Sequence, residues 1–536
     1  MLKQINSKKL VALFFCLLTL IGILTIQDYG SPYDELTELI ILGANIKEYA
    51  LIASGDENTN YYTNMSPLRI RDNIERDHGI CGYYPLAPLF PQMEGNFRLS
   101  AFVFSLLTWL WFMLGCFSLY CCLRYLNISR VISCLGVLLL YLCPRFFAEG
   151  HYNNKDVVLL CFYLFTFWQG VKLIKKQTYL NGILFSLAGA MATNTKIVGI
   201  LPWGLVGLGL IIYLSVNKYW TKRKVIIAIV TIISFVVFYF LLTPAMWSNP
   251  IDFIQHLINN AVSFSRFGGS VIFRGANFYD VSNTTPLPFY YVPYYILVTI
   301  PLFMLFLIAV GQFFALFTGY KEKNIWKTPH KWLLFIFSAS YLIPLIYSII
   351  STPILYNGWR HFYFLYAGLV VMGGYGIQKI WELVQKKNKL RFLAIISLSL
   401  CFVFTITGLI QNRHYQFCYY NPIIKRDAKH TMDMDYWNVA PAGAFRELYA
   451  LKKDEGVPLK VGCYFNDIAI GQSKLPKEID DAIIVTVEKD EDYLYYGATY
   501  AYIYFAKEPP EGYRVLKTIK SYGNTIGTLY EKIPEV

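Results

Sequence analysis

Residues 222–243 read KRKVIIAIVTIISFVVFYFLLT: three adjacent cations, then an apolar run without a charge. At a rise of ~1.5 Å per residue, a helix over 225–243 is long enough to cross the ~30 Å hydrocarbon core of a bilayer. The pattern recurs along the chain. Apolar runs of similar length lie at 10–27, 99–123, 128–144, 157–174, 179–195, 197–216, 289–317, 332–351, 361–381 and 392–410, so eleven spans are expected. The alternating short strands of a membrane barrel are absent from these runs. Over 536 residues the composition is 55% hydrophobic, 17% aromatic and only 15% charged, too apolar for a soluble multidomain protein. The mean hydropathy of +0.40 agrees.

The cations ahead of residue 225 belong to a second pattern. A net charge of +13 invites a nucleic-acid reading, but the basic residues fall in alternate loops. Lys8 and Lys9, Arg124 and Arg130, Lys172 to Lys176, Lys218 to Lys224, Lys321 to Lys331 and Lys379 to Arg391 share one side, while the intervening loops are mixed or acidic. This is the positive-inside distribution. It excludes a nucleic-acid partner, places the N-terminus in the cytoplasm and, with an odd number of spans, the C-terminus outside. No convincing small-residue cleavage site follows the first span, which is read as a signal-anchor helix.

Three outer segments exceed what a connector needs. The first, 28–98, contains DELTELIILGANIKEYALIA (34–53), whose apolar positions recur at helical spacing; it is expected to lie along the membrane surface and to stop near Gly55. The second, 244–288, is dense in Pro and Gly, and no long helix is expected there. The third, 411–536, drops sharply in hydropathy. A helical pattern at 440–453 precedes the strand-like runs LKVGCYF, DAIIVTVE and TYAYIYFA and a hairpin turning at SYGNT. The expected architecture is therefore an all-α polytopic membrane domain over 1–410 and a small extracytoplasmic α/β domain over 411–536. Most of the eleven cysteines lie in expected spans as inert buried thiols; Cys81, Cys418 and Cys463 fall outside, with no zinc spacing.

On this topology several polar groups emerge on the outer face. Asp34 and Glu35 open the first loop; AEGHYNNKD (148–156) supplies Asn154, Lys155 and Asp156; NTK (194–196) ends a span with Lys196; YNGWRHF (356–362) supplies Arg360 and His361. One cavity holding carboxylates and cations suits transfer of a group from a phosphate leaving group to a hydroxyl. A carboxylate can take the acceptor's proton, and cations can stabilise charge on the departing phosphate. Each residue has a plainer alternative. Asp34 is a suitable helix N-cap, Glu35 and Glu38 are candidates for a solvated face, Lys155 and Asp156 for a mutual pair, Lys196 for a snorkelling lysine. His361 fits a structural histidine, and His151 with Asp156 has no recognised metal spacing.

The set resembles the polyprenyl-phosphate-dependent glycosyltransferases of the GT-C class, in particular the bacterial branch of the dolichyl-phosphate-mannose-protein mannosyltransferase and lipid A aminoarabinose transferase relatives. Asp34-Glu35 matches the acidic pair opening the first outer loop. PRFFAEGHYNNKD, ATNTKIVG, PAMWSNP, LPFYYVPYYILVTIP, YNGWRHFYF and HYQFCYYNP…DMDYWN follow in the family's order. The resemblance implies an inverting transfer from a polyprenyl-phosphate-linked sugar at the outer face of a bacterial plasma membrane, to a glycan, lipid or protein acceptor. It implies Asp34 as the base-like carboxylate with Glu35 as partner, and a donor-phosphate region formed by Asn154, Lys155, Asp156, Lys196, Arg360 and His361. A divalent metal ion, used by some of the class, is left open. No β-trefoil module is visible. Two readings from other classes compete: a transporter or flippase of lipid-linked sugars, disfavoured because no repeated halves are visible, and a membrane scaffold.

Overall fold

A computed structural model describes residues 2–55, 69–263, 270–279, 285–321, 324–424, 427–456, 458–463, 472–488, 490–497 and 509–534. The helices run in chain order as α1 (Leu2–Leu24), α2 (Glu35–Ser54), α3 (Phe90–Met93), α4 (Phe97–Tyr125), α5 (Arg130–Tyr141), α6 (Pro144–Glu149), α7 (Asp156–Lys175), α8 (Tyr179–Thr195), α9 (Ile200–Val216) and α10 (Lys222–Leu242). After α11 (Pro250–Ser263) come α12 (Tyr291–Thr299), α13 (Leu302–Lys321), α14 (Pro329–Ser351), α15 (Leu365–Val384), α16 (Asn388–Gln411), α17 (Ala440–Lys452) and α18 (Lys477–Ala482).

Local chemistry fixes where several of these begin. Asn96, Ser129, Thr178 and Thr221 each accept a hydrogen bond from the backbone N–H three residues on, capping α4, α5, α8 and α10. Gly55 ends α2 in the left-handed region at φ 67°, as expected. Among the described residues, eight helices are long and apolar enough to cross a membrane. The chain is a multi-pass membrane protein. The other three expected stretches are occupied by α5, which is 12 residues long, by α8, 17 residues, and by α15. Helix α15 forms the centre of the bundle, with every residue from Leu365 to Ile377 buried. It crosses α13 so closely that a Cβ on Gly311 would sit 1.8 Å from the Met372 carbonyl oxygen, and one on Gly376 2.0 Å from that of Leu307.

The segment 244–288 departs from expectation. It holds the 14-residue helix α11 and a small antiparallel hairpin, β1 (Val271–Phe273) with β2 (Ala276–Phe278). Pro250, one of the prolines behind that expectation, opens the helix, where a missing N–H costs nothing, and Asn249 accepts from the Asp252 N–H at 3.2 Å.

The C-terminal sheet has five strands: β3 (Leu459–Cys463), β4 (Ile483–Thr486), β5 (Tyr493–Gly497), β6 (Tyr513–Ser521) and β7 (Asn524–Lys532), in the order β4-β3-β5-β7-β6. β4 and β5 run parallel to β3, and β7 runs antiparallel to β5 and β6. The hairpin at SYGNT forms as expected, whereas TYAYIYFA (499–506) lies outside the described residues and β5 was not foreseen. The sheet domain is bolted to the helices: Arg413 grips Asp28 through two hydrogen bonds of 2.7 Å, and Lys474 donates to Ser105 Oγ at 2.8 Å. Cys81, Cys418 and Cys463 are free buried thiols.

Candidate active site

Two loops are shaped before they meet. In the first, Asn153 rather than its neighbours caps α7: its Oδ1 accepts from the N–H of Asp156 at 2.7 Å, with longer bonds from Lys155 and Val157. Its amide donates to Glu149 at 2.6 Å, and Tyr363 donates to the other oxygen of that buried carboxylate at 2.6 Å. This tie fixes the direction in which Lys155 and Asp156 leave the loop. In the second, Asn194 knots three elements, accepting from Cys81 N–H at 3.0 Å and donating to the Leu242 carbonyl at 2.9 Å. Gly79 passes so close that a Cβ there would lie 1.6 Å from the Asn194 carbonyl oxygen, so the backbone around His78 is pressed against the end of α8.

A cavity of about 590 Å³ opens between these loops, and Asp34, Lys155, Asp156, Lys196, Arg360 and His361 all line it. It gathers the start of α7 and the end of α8, whereas the basic residues Lys172, Lys175 and Lys176 sit at the opposite ends of those helices. The cavity and the basic loops therefore occupy opposite faces of the bundle. Asn154 and Glu35 do not line it. Asn154 is buried behind the loop, and Glu35 turns toward the sheet domain.

Asp34 stands at the N-cap position of α2, yet its carboxylate makes no capping hydrogen bond. The capping alternative is thereby set aside, and the carboxylate is free to face the cavity. Burial raises its pKa above the ordinary carboxylate range, against the pull of the Arg360 guanidinium. Asp156 pairs with Lys196, and its second oxygen lies 3.7 Å from Arg360 Nη1. The adjacent Lys155 is not its partner, and Lys196 does not snorkel. Lys155 makes no ion pair among the described residues; burial pulls its ammonium down to about 8, with Glu38 the main opposing charge. Burial and the cations Lys196, Arg360 and Lys155 hold His361 well below its ordinary value, so the imidazole is neutral.

Arg360 sits in an aromatic cage, its guanidinium carbon 4.4, 4.2 and 4.4 Å from the ring centres of Tyr356, Tyr436 and Trp437. Nη2 donates to Tyr436 Oη at 2.7 Å. Tyr436 and Trp437 come from the DMDYWN stretch, in which they are the uncharged aromatic residues beside Asp433 and Asp435. That stretch is held in turn by Asp435, which caps α17 by accepting from Val439 and Ala440 N–H at 3.0 and 2.8 Å.

A further cluster escaped sequence reasoning. Glu38, expected on a solvated face, is buried and receives a 2.6 Å hydrogen bond from His78 Nε2; His78 Nδ1 lies 3.4 Å from Glu75. Burial alone would raise the Glu38 carboxyl, but His78 outweighs it and holds the group below its ordinary range, while His78 is raised in return. Glu38 lies one helical turn from Asp34, the only sequence signal available for it. His151 is buried, stacked on Trp109 at 4.3 Å and donating from Nδ1 to the Phe147 carbonyl at 2.8 Å. Among the described residues no three His, Cys, Asp or Glu side chains converge to hold a metal ion. Of the carboxylates lining the cavity, Asp156 is engaged by Lys196 and Arg360 and Glu38 by His78.

Residues 86–247 match the family model of the dolichyl-phosphate-mannose-protein mannosyltransferases. The chain resembles this family. The matched stretch contains Asn154, Lys155, Asp156 and Lys196 but neither Asp34 nor Arg360. No curated protein matches the chain. Two solved structures are similar: ArnT from Cupriavidus metallidurans bound to undecaprenyl phosphate, at 13% identity and a TM-score of 0.45 over 97% of this chain and 98% of that one, and the same protein in the apo state, at 14% identity and 0.45 over 89% and 76%.

Proposed function

We propose that this chain is a membrane glycosyltransferase that moves a sugar from a polyprenyl-phosphate carrier to an acceptor hydroxyl, with inversion, at the outer face of a bacterial plasma membrane. The observation that carries the reading is the shared cavity, in which the uncapped Asp34 carboxylate stands among Lys155, Arg360 and the Lys196–Asp156 pair. The matched family stretch and the positive-inside loops support it. In this reading residues 411–536 form an extracytoplasmic domain.

The acceptor oxygen bonds to the anomeric carbon as the bond from that carbon to the phosphate oxygen breaks. The phosphate leaves with the bonding pair, and the hydroxyl proton passes to Asp34. Phosphate is a good leaving group, so no general acid is needed. Its charge falls to Arg360, fixed in its cage, and to Lys155, the cation without a carboxylate partner among the described residues. Asp156, itself paired with Lys196, sets its carboxylate 3.7 Å from Arg360.

The test is Asp34→Asn assayed in proteoliposomes with a labelled polyprenyl-phosphate sugar. Loss of a positioned base is expected to slow turnover by roughly 10²–10⁴-fold at unchanged donor binding. Full turnover in a folded Asp34→Asn protein would reject the assignment.

A further inference from the structure

A second cavity, about 270 Å³, lies on the opposite half of the bundle, between α9 and α10 with α8 as its floor. Both helices pack on α8 and α9 also packs on α14, but α9 and α10 scarcely touch each other. Gly204 and Gly207 keep the gap open: a Cβ on either would meet nothing within 4 Å. The walls are aliphatic, with Leu210, Ile211 and Leu214 facing Ile227 and Ala228. The deep end is closed by Trp203, stacked on Phe235 at 4.2 Å. From Trp203 to Leu214 the groove follows roughly 16 Å of helix, about half the thickness of a hydrocarbon core.

The open end is strongly basic. Lys224 and Trp220 form its lip; Lys218, Lys222 and Arg223 neighbour Lys224 in the chain, and Lys172, Lys175 and Lys176 stand at the end of the neighbouring α7. None of these seven cations makes an ion pair among the described residues, and the chain contains no Asp or Glu from 157 to 251. An apolar channel one leaflet long, blind at the far end, with a lysine at its lip in a loop region of cations that make no ion pair among the described residues, has the complement of a single lipid: one acyl chain and a negatively charged headgroup.

We propose that this groove is a binding site for an anionic glycerophospholipid of the leaflet on the basic-loop side. One acyl chain lies between α9 and α10, and the phosphate meets Lys224 and its neighbours. The lipid fills the wedge between the two helices and braces α8, whose far end carries Asn194 and leads into Lys196.

The site is testable on the full chain, delipidated in detergent and titrated with phosphatidylglycerol or phosphatidylcholine under native mass spectrometry. Wild type is expected to retain one phosphatidylglycerol and to prefer it to phosphatidylcholine. Lys224→Gln should weaken that preference by about fivefold, the worth of one lysine near an anionic surface. Gly207→Leu fills the channel without a clash and should abolish retention while leaving a monodisperse, folded protein; Gly204→Leu is the second filling variant. Equal retention of both lipids, undiminished retention in a folded Gly207→Leu or Gly204→Leu protein, or displacement of phosphatidylglycerol by polyprenyl phosphate one for one would each overturn the proposal.

Discussion

Glu35, the second half of the acidic pair, is 6% exposed and lies on the seam with the sheet domain, where Lys474, 4% exposed, is the opposing charge that acts on it. The seam is closed by Ser31 Oγ and Ser473 Oγ at 2.9 Å and by Lys474 donating to Ser105. Burial pulls Lys474 down to about 8 against Glu35, and burial raises Glu35 against Lys474. No direct ion pair joins the two, so removing either leaves a buried charge without its opposing charge at a cost of about 1–3 kcal/mol, while removing both is close to neutral. Glu35→Gln and Lys474→Met should therefore each lower stability by that order, and the double variant should recover to within about 1 kcal/mol of wild type, measured as thermal unfolding of the detergent-solubilised protein. The pH dependence supplies a second readout. In Lys474→Met the Glu35 carboxyl, raised in the fold and no longer opposed, favours its neutral form, so stability rises as pH falls and is lost as pH climbs through the raised value. Strictly additive losses, or a Glu35→Gln protein that keeps its stability but loses turnover as fully as Asp34→Asn, would refute the seam role and return Glu35 to the reaction.

Other expectations concern the cavity. Lys155→Met should weaken donor binding by about 1.5–3 kcal/mol, seen as a rise in donor KM, and should also lower kcat because the departing phosphate loses one of its two cations. Because burial brings Lys155 to about 8, wild-type donor affinity should fall as pH rises through that value and the ammonium loses its proton, and the Lys155→Met profile should be flat there. On the acid side, kcat should fall as pH drops through the raised Asp34 value and its carboxylate is protonated. Arg360→Lys should lose activity although it keeps the charge, because an ammonium cannot fill a cage built at 4.2–4.4 Å around a planar group. Asn153→Ala should cost about 1 kcal/mol of stability through the lost cap of α7, and should raise donor KM by releasing the loop that aims Lys155.

The bundle was legible because membrane spans are a one-dimensional signal. A backbone in hydrocarbon must satisfy its hydrogen bonds within the segment, so run length and charge locate the helices without knowledge of their neighbours. The same logic found α2 and its end at Gly55, and the loops that carry Asp34, Lys155, Lys196 and Arg360. It failed where context reverses a residue's usual sign, as at Pro250, which starts α11.

Sequence alone determined which residues reach the same end of the helices, because helix direction alternates with each crossing. Tertiary structure decided which of them share a space. Asp34 and Glu35 are neighbours in the chain, but adjacent helical positions point about 100° apart, so one lines the cavity and the other the seam. The partners of Arg360 come from residues 156, 356, 436 and 437, and no local pattern encodes a cage assembled across such distances.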